Sequence, residues 1–175
     1  MKTVPTILLV DDDEDHLLVA RRAIERAGLP AEVRLASAGD EALRILGLHP
    51  DASEAPPSIA LVLLDIGLPG LSGWEVLKRI RASERTRRTP VVMVSSSDRP
   101  EDVRRSYELG ANSYLVKRGD RRRPGEYLAE AARYWVVLNE MSRGPYRQGP
   151  RAAPGAGGPG TASGRRHADE GSVQD

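Results

Sequence analysis

Five side chains in this chain of 175 residues could do chemistry together: Asp11, Asp12, Asp65, Ser95 and Lys117. Each closes or directly follows a short apolar run, in "LLVDD", "LVLLD", "VVMVS" and "YLVK". A carboxylate at the tip of a buried strand costs free energy unless something pairs with it or uses it. Clustered carboxylates repel, so one would stay protonated unless a cation lies among them. Mg²⁺ suits such a cluster, because it takes oxygen ligands, keeps waters, and favours one or two carboxylates together with phosphate oxygens. The Ser95 hydroxyl and Lys117 ammonium would complete a phosphoryl-binding site. Carboxylates form aspartyl phosphates as nucleophiles. The transfer then needs in-line positioning and neutralisation of charge on the equatorial oxygens. This reading makes Asp65 the nucleophile.

The elements that must position these groups alternate in period. Strand-like runs fall at 5–10, 32–36, 59–65, 90–94 and 113–116. Helix-like stretches lie between and after them, at about 14–28, 39–47, 73–83, 100–109 and 124–141. Ile7 to Val10 and Leu61 to Leu64 are apolar without alternation, as strands covered on both faces should be. Five β-α repeats predict an α/β fold, a doubly wound parallel sheet with helices on both sides. In such sheets the functional crevice lies beyond the carboxyl ends of the strands, where the order reverses.

Composition narrows the function classes. The net charge of +1 favours no particular partner. With no cysteine, disulfides and thiolate metal sites are excluded. No apolar run approaches the roughly 20 residues that span a bilayer, and the start leads straight into a strand with no signal peptide, so a cytoplasmic location is expected. The arginines at 85–88 and 118–123 read as solvated loops. Residues 143–175 hold eight glycines and four prolines with almost no large apolar side chain. Such a segment buries too little to offset ordering entropy. The expected organisation is a domain over 1–142 and a disordered tail over 143–175, too polar and broken for an output domain.

The ordered pattern Asp11-Asp12, Asp65-x-x-x-Pro69-x-x-x-Gly73, Ser95 and Tyr114-x-x-Lys117 resembles bacterial two-component response-regulator receiver domains over about residues 4–140. The resemblance implies a flavodoxin-like (βα)5 fold with strand order 2-1-3-4-5. It implies that Asp65 accepts a phosphoryl group from a histidine kinase or phosphotransfer protein. Asp11, Asp12, Asp65 and the backbone carbonyl of Gly67 would hold Mg²⁺. Ser95 would bond a phosphoryl oxygen, Lys117 would pair with it, and Tyr114 would be the rotameric switch. The segments "RSYELGANSYLVK" and "YWVVLNE", with the loop "HPDASEAPP", are similar to single-domain regulators that work with bacterial phytochromes. That likeness implies a phytochrome-type or related hybrid kinase as partner.

Three departures from the family pattern matter. Arg118 stands where proline usually follows the lysine, so the peptide before it is expected to be trans, and Arg118 is a candidate to share the role of Lys117. Ser95 replaces the common threonine and keeps the hydroxyl. Gly67 and Ser97 are small, which would let water reach a phosphoaspartate and shorten its life.

Plainer readings stand beside these. Asp13 and Glu14 suit a helix N-terminus. Gly73 most simply starts the third helix, and Trp74 serves packing or a partner surface. His16, His49 and His167 show no ligand spacing and are assigned no metal. The last helix carries two apolar stripes: Leu128, Ala132 and Trp135, and Tyr127, Ala131, Tyr134, Leu138 and Met141. One stripe suffices to pack on a sheet, so the second is expected to form core at the domain edge or a homodimer surface, with the homodimer favoured.

The leading function is a stand-alone switch rather than an enzyme, with at most weak autodephosphorylation, that signals to an unidentified output protein through altered contacts. The alternative is a Mg²⁺-dependent aspartyl-nucleophile phosphatase of the haloacid-dehalogenase type. It is disfavoured by Asp15, where threonine or valine is usual, and by the scarcity of sequence for a cap. Nucleic-acid binding through the arginine-rich segments has no groove-reading motif behind it, and membrane association is not expected.

Overall fold

In a computed structural model of the chain, residues 4–51, 56–117 and 125–140 are described. Five strands and five helices alternate along them: β1 (Thr6–Val10), α1 (Glu14–Arg26), β2 (Glu32–Ala36), α2 (Gly39–Ile45), β3 (Ile59–Asp65), α3 (Gly73–Ala82), β4 (Val91–Ser95), α4 (Pro100–Glu108), β5 (Ser113–Val116) and α5 (Glu126–Arg133). A π-helical turn, Tyr134–Leu138, continues α5. The strands form one parallel sheet in the order β2-β1-β3-β4-β5, which is the flavodoxin-like arrangement. The order reverses around β1, and the ends of β1 and β3 therefore open onto the crevice.

The unbroken apolar strands are explained by burial on both faces. Successive residues of a strand point to opposite sides. Leu8, Val10, Val62, Leu64 and Met93 pack with Leu43 of α2 and Val76, Leu77 and Ile80 of α3. Ile7, Leu9, Leu61, Leu63, Val92 and Val94 pack with Leu17 and Ile24 of α1 and Leu128 and Ala132 of α5. Helix starts follow local chemistry. Asp13 caps α1 by accepting from the His16 amide, and Ser72 and Glu75 cap each other's ends in a capping box on α3. Pro100 opens α4, where its missing N–H costs nothing.

The structure moves some expected boundaries. β4 runs to Ser95, which still pairs with Val116, so this hydroxyl sits on the strand rather than after it. The last helix, expected over 124–141, keeps α geometry only from Glu126 to Arg133. From Tyr134 it widens into the π turn, closed by the Asn139 amide on the Tyr134 carbonyl at 2.7 Å. Arg118, the arginines of 118–123, Met141 and the segment 143–175 lie outside the described residues. Among the described residues no helix is long and apolar enough to cross a membrane.

Candidate functional site

Asp11 directly follows β1 and Asp65 ends β3, side by side in the sheet, and both are buried. Asp12, one residue further, is exposed. Carboxylate oxygens of the three lie within 4.8 Å of one another. Lys117, just past β5, reaches into this group: its Nζ donates to Asp65 Oδ2 at 2.5 Å and lies 2.8 Å from Asp11 Oδ2. The Lys117 amide donates to the Ser95 carbonyl at 2.7 Å, which sets where the side chain departs. The second oxygens are also engaged. Asp11 Oδ1 accepts from the Asp13 amide at 3.1 Å, and Asp65 Oδ1 accepts from the Gly67 amide at 3.2 Å.

The electrostatics follow from this crowding. Burial alone would raise the Asp11 carboxyl, but hydrogen bonds from His16, Lys117 and Asp13 outweigh it and hold the group below the usual carboxylate range. Burial alone would lower the Lys117 ammonium, but its bonds to Asp11 and Asp65 outweigh that and raise it. Three carboxylates against one ammonium leave an excess of two formal negative charges. A divalent cation with oxygen ligands would balance that excess, and the all-carboxylate donor set suits a hard ion. The residues therefore fit the metal that the pattern implies. The described contact of Gly67 is its amide on Asp65.

Glycine is required at one neighbouring position. A Cβ at Gly73 would lie 1.9 Å from the Asp65 carbonyl oxygen, so the start of α3 can press against the end of β3 only without a side chain. Gly73 is indeed the first residue of α3.

Ser95 is buried beside the acids, and its Oγ accepts from the Ser97 amide at 3.2 Å. Ser97 in turn donates its hydroxyl to Asp102 Oδ2 at 2.6 Å, and its carbonyl accepts from the Tyr114 hydroxyl at 2.9 Å. Burial, with the negative charge of Asp102 and Asp65 nearby, raises the Tyr114 phenol above its ordinary value. The expected switch residue is thus already turned toward the loop after β4. Trp74 links α3 to α4: its Nε1 donates to Ser106 Oγ at 3.0 Å, and Arg105 stacks 4.0 Å above its ring.

One site residue was set aside by sequence reasoning. His16 Nδ1 contacts Asp11 Oδ2, and its Nε2 lies 3.0 Å from the Tyr127 hydroxyl. It is not a ligand at metal spacing, but it touches one of the metal-binding candidates. Nothing in the pattern signals this, since Tyr127 is 111 residues away in sequence. Tyr127 is consequently half-buried against His16 rather than part of an open stripe. Tyr134 and Leu138 are exposed, by 52% and 64%, and Val137 joins them at 48%.

Known proteins are similar to this chain in sequence and fold. The family model described as "Response regulator receiver domain" matches residues 7–128. The probable methanogenesis regulatory protein FilR2 of Methanothrix harundinacea is 39% identical over 142 residues, covering 79% of this chain and 88% of that protein. The Mn²⁺-bound form of response regulator Rcp1 superposes with a TM-score of 0.70 at 27% identity, covering 79% of this chain and 99% of that one. The bacteriophytochrome response regulator RtBRR gives 0.61 at 39% identity, covering 81% and 86%. With acids at the ends of β1 and β3 and a lysine from β5 among them, and with most of the sheet inside the matched segment, this chain belongs to the response-regulator receiver family.

Proposed function

We propose that the chain is a single-domain response regulator phosphorylated on Asp65 by a histidine kinase of the phytochrome type or by a phosphotransfer protein. The observation that carries this is the Asp65 carboxylate at the end of β3, bonded to Lys117 and flanked by Asp11 and Asp12. An Asp65 oxygen would form the new bond to phosphorus as the P–N bond of a phosphohistidine breaks, the electron pair and a proton ending on the leaving imidazole. Lys117 would turn from the carboxylate to a phosphoryl oxygen, and the Ser95 hydroxyl would donate to another. Asp11, Asp12 and Asp65, with the Gly67 carbonyl, would hold Mg²⁺. When bound, the ion neutralises charge on the transferring oxygens. Water hydrolysing the acyl phosphate would regenerate Asp65 and release inorganic phosphate, which ends the signal of a switch with at most weak autodephosphorylation.

Support for the phytochrome-type kinase comes from the likeness to RtBRR, whose name ties that protein to bacteriophytochrome. Output would be through contacts of the face around β4, α4 and β5. We also propose a homodimer centred on Tyr134, Val137 and Leu138. Incubation with acetyl phosphate and Mg²⁺, read by intact mass, tests the central claim. One phosphoryl adduct is expected in wild type and none in Asp65→Asn or after chelation. An adduct that survives Asp65→Asn but vanishes in Asp11→Asn would instead favour the phosphatase reading.

A further inference from the structure

We propose that His16 is a positioning residue for the metal-binding carboxylate Asp11, and that Tyr127 of α5 holds it in that role. The inference rests on the reading of Asp11 as a metal ligand and adds a layer behind it.

The argument begins with proton bookkeeping. An ionised carboxylate only accepts hydrogen bonds, so the His16 nitrogen against Asp11 Oδ2, Nδ1, must carry a proton. In a neutral ring the other nitrogen, Nε2, then accepts, and the group facing it is the Tyr127 hydroxyl at 3.0 Å, which can donate. In that form donors and acceptors run in one direction, from phenol to imidazole to carboxylate, and in either form His16 bridges the Tyr127 hydroxyl and Asp11 Oδ2. The backbone amide of His16 is fixed as well, by the capping oxygen of Asp13 at 3.1 Å. Ring and main chain are held at once, on the first turn of α1.

Asp11 needs such a fixture. Lys117 bonds the same Oδ2, and a phosphoryl group on Asp65 would draw Lys117 away. His16 would remain as the side-chain donor fixing the rotation of the carboxylate, with the Asp13 amide holding Oδ1. Among the described residues, the floor beside it offers no other polar side chain. The small cavity beside Asp11 and His16 is lined otherwise by apolar residues, among them Leu17, Leu63, Val94 and Leu128. Partners of this kind behind a metal ligand typically change affinity by about 10–100-fold when removed.

Mn²⁺ binding to the unphosphorylated full chain, followed by the electron paramagnetic resonance signal of free Mn²⁺, tests this without phosphoryl transfer. His16→Leu should weaken binding by about ten-fold or more. His16→Asn, whose amide can donate from nearly the position of Nδ1, should recover much of that loss. Tyr127→Phe removes only a hydroxyl, so it should fold normally, and it should weaken binding in the same direction. Because the two residues act in series, the double variant His16→Leu/Tyr127→Phe should bind no more weakly than His16→Leu alone. Wild-type affinity in His16→Leu, or additive losses in the double variant, would overturn the role of His16 while leaving the metal site standing. A wild-type chain that binds no Mn²⁺ would overturn both.

Discussion

At the scale of single residues, Gly67 is the place to probe the lifetime of a phosphoryl group on Asp65. Its amide caps Asp65 Oδ1, and it is exposed. A Cβ built there meets nothing within 4 Å, and the backbone there does not lie in the left-handed region that favours glycine. A larger side chain would therefore fit, and it would stand over the approach to the carboxylate. Gly67→Met should slow hydrolysis of the phosphoaspartate several-fold, measured as decay of the phosphorylated mass after acetyl phosphate is removed. Decay at the wild-type rate would show that water does not enter on this side. Ser97, the other small neighbour, is a poorer probe than its size suggests. Its hydroxyl holds Asp102 and its carbonyl holds Tyr114, so enlarging it would disturb α4 as well as the water path.

Among helices α1 to α5, α4 is the one least tied to the core. Of its residues only Ser106 is buried, whereas α1 buries Leu17, Ala20, Ala23 and Ile24, and α3 buries Val76, Leu77 and Ile80. Burial contributes roughly 25 cal/mol per Å² of apolar surface, so little of it anchors α4. Polar contacts do more: Ser97 to Asp102, Trp74 to Ser106, and Arg105 over the Trp74 ring. Weakly buried elements open at low free energy. Amide hydrogen exchange should therefore proceed in α4 ahead of α1 and α3. Trp74→Phe should speed it about five-fold, the equivalent of one net hydrogen bond of about 1 kcal/mol. An α4 as protected as α3 would sink this account. The strands and helix starts were legible in the sequence because burial on both faces leaves an uninterrupted apolar run, and because Asp65 breaks that run at its end. The end of α5 was not. Helical spacing groups Tyr127 with Tyr134 and Leu138, but Tyr134, Trp135, Val136 and Val137 form a run of aromatic and β-branched residues of modest helix propensity. The structure widens there, with Tyr134 and Trp135 edge to face at 5.2 Å. Nor could spacing show that Tyr127 turns to His16, since that bond exists only once α1 and α5 share a face of the sheet.

At the scale of the whole molecule, the exposed end of α5 limits the homodimer proposed to form on it. Tyr134, Val137 and Leu138 are together on the π turn, each about half exposed or more. Their combined open surface is on the order of 300 Å², well under the roughly 800 Å² per partner of a stable interface. A homodimer seated on these three side chains alone would thus be weak, with a dissociation constant in roughly the micromolar range or above. Sedimentation of the full chain should show reversible association that grows with concentration over that range. Leu138→Glu places a charge at the most exposed of the three and should leave a monomer, without altering phosphorylation by acetyl phosphate, because Leu138 touches none of the acids. A wild type that stays monomeric to about 100 μM, roughly a hundred-fold above a micromolar dissociation constant, would remove the dimer and leave the patch as a surface for a different chain. A dimer that survives Leu138→Glu would place the interface elsewhere, with the weakly anchored α4 face next to be tested.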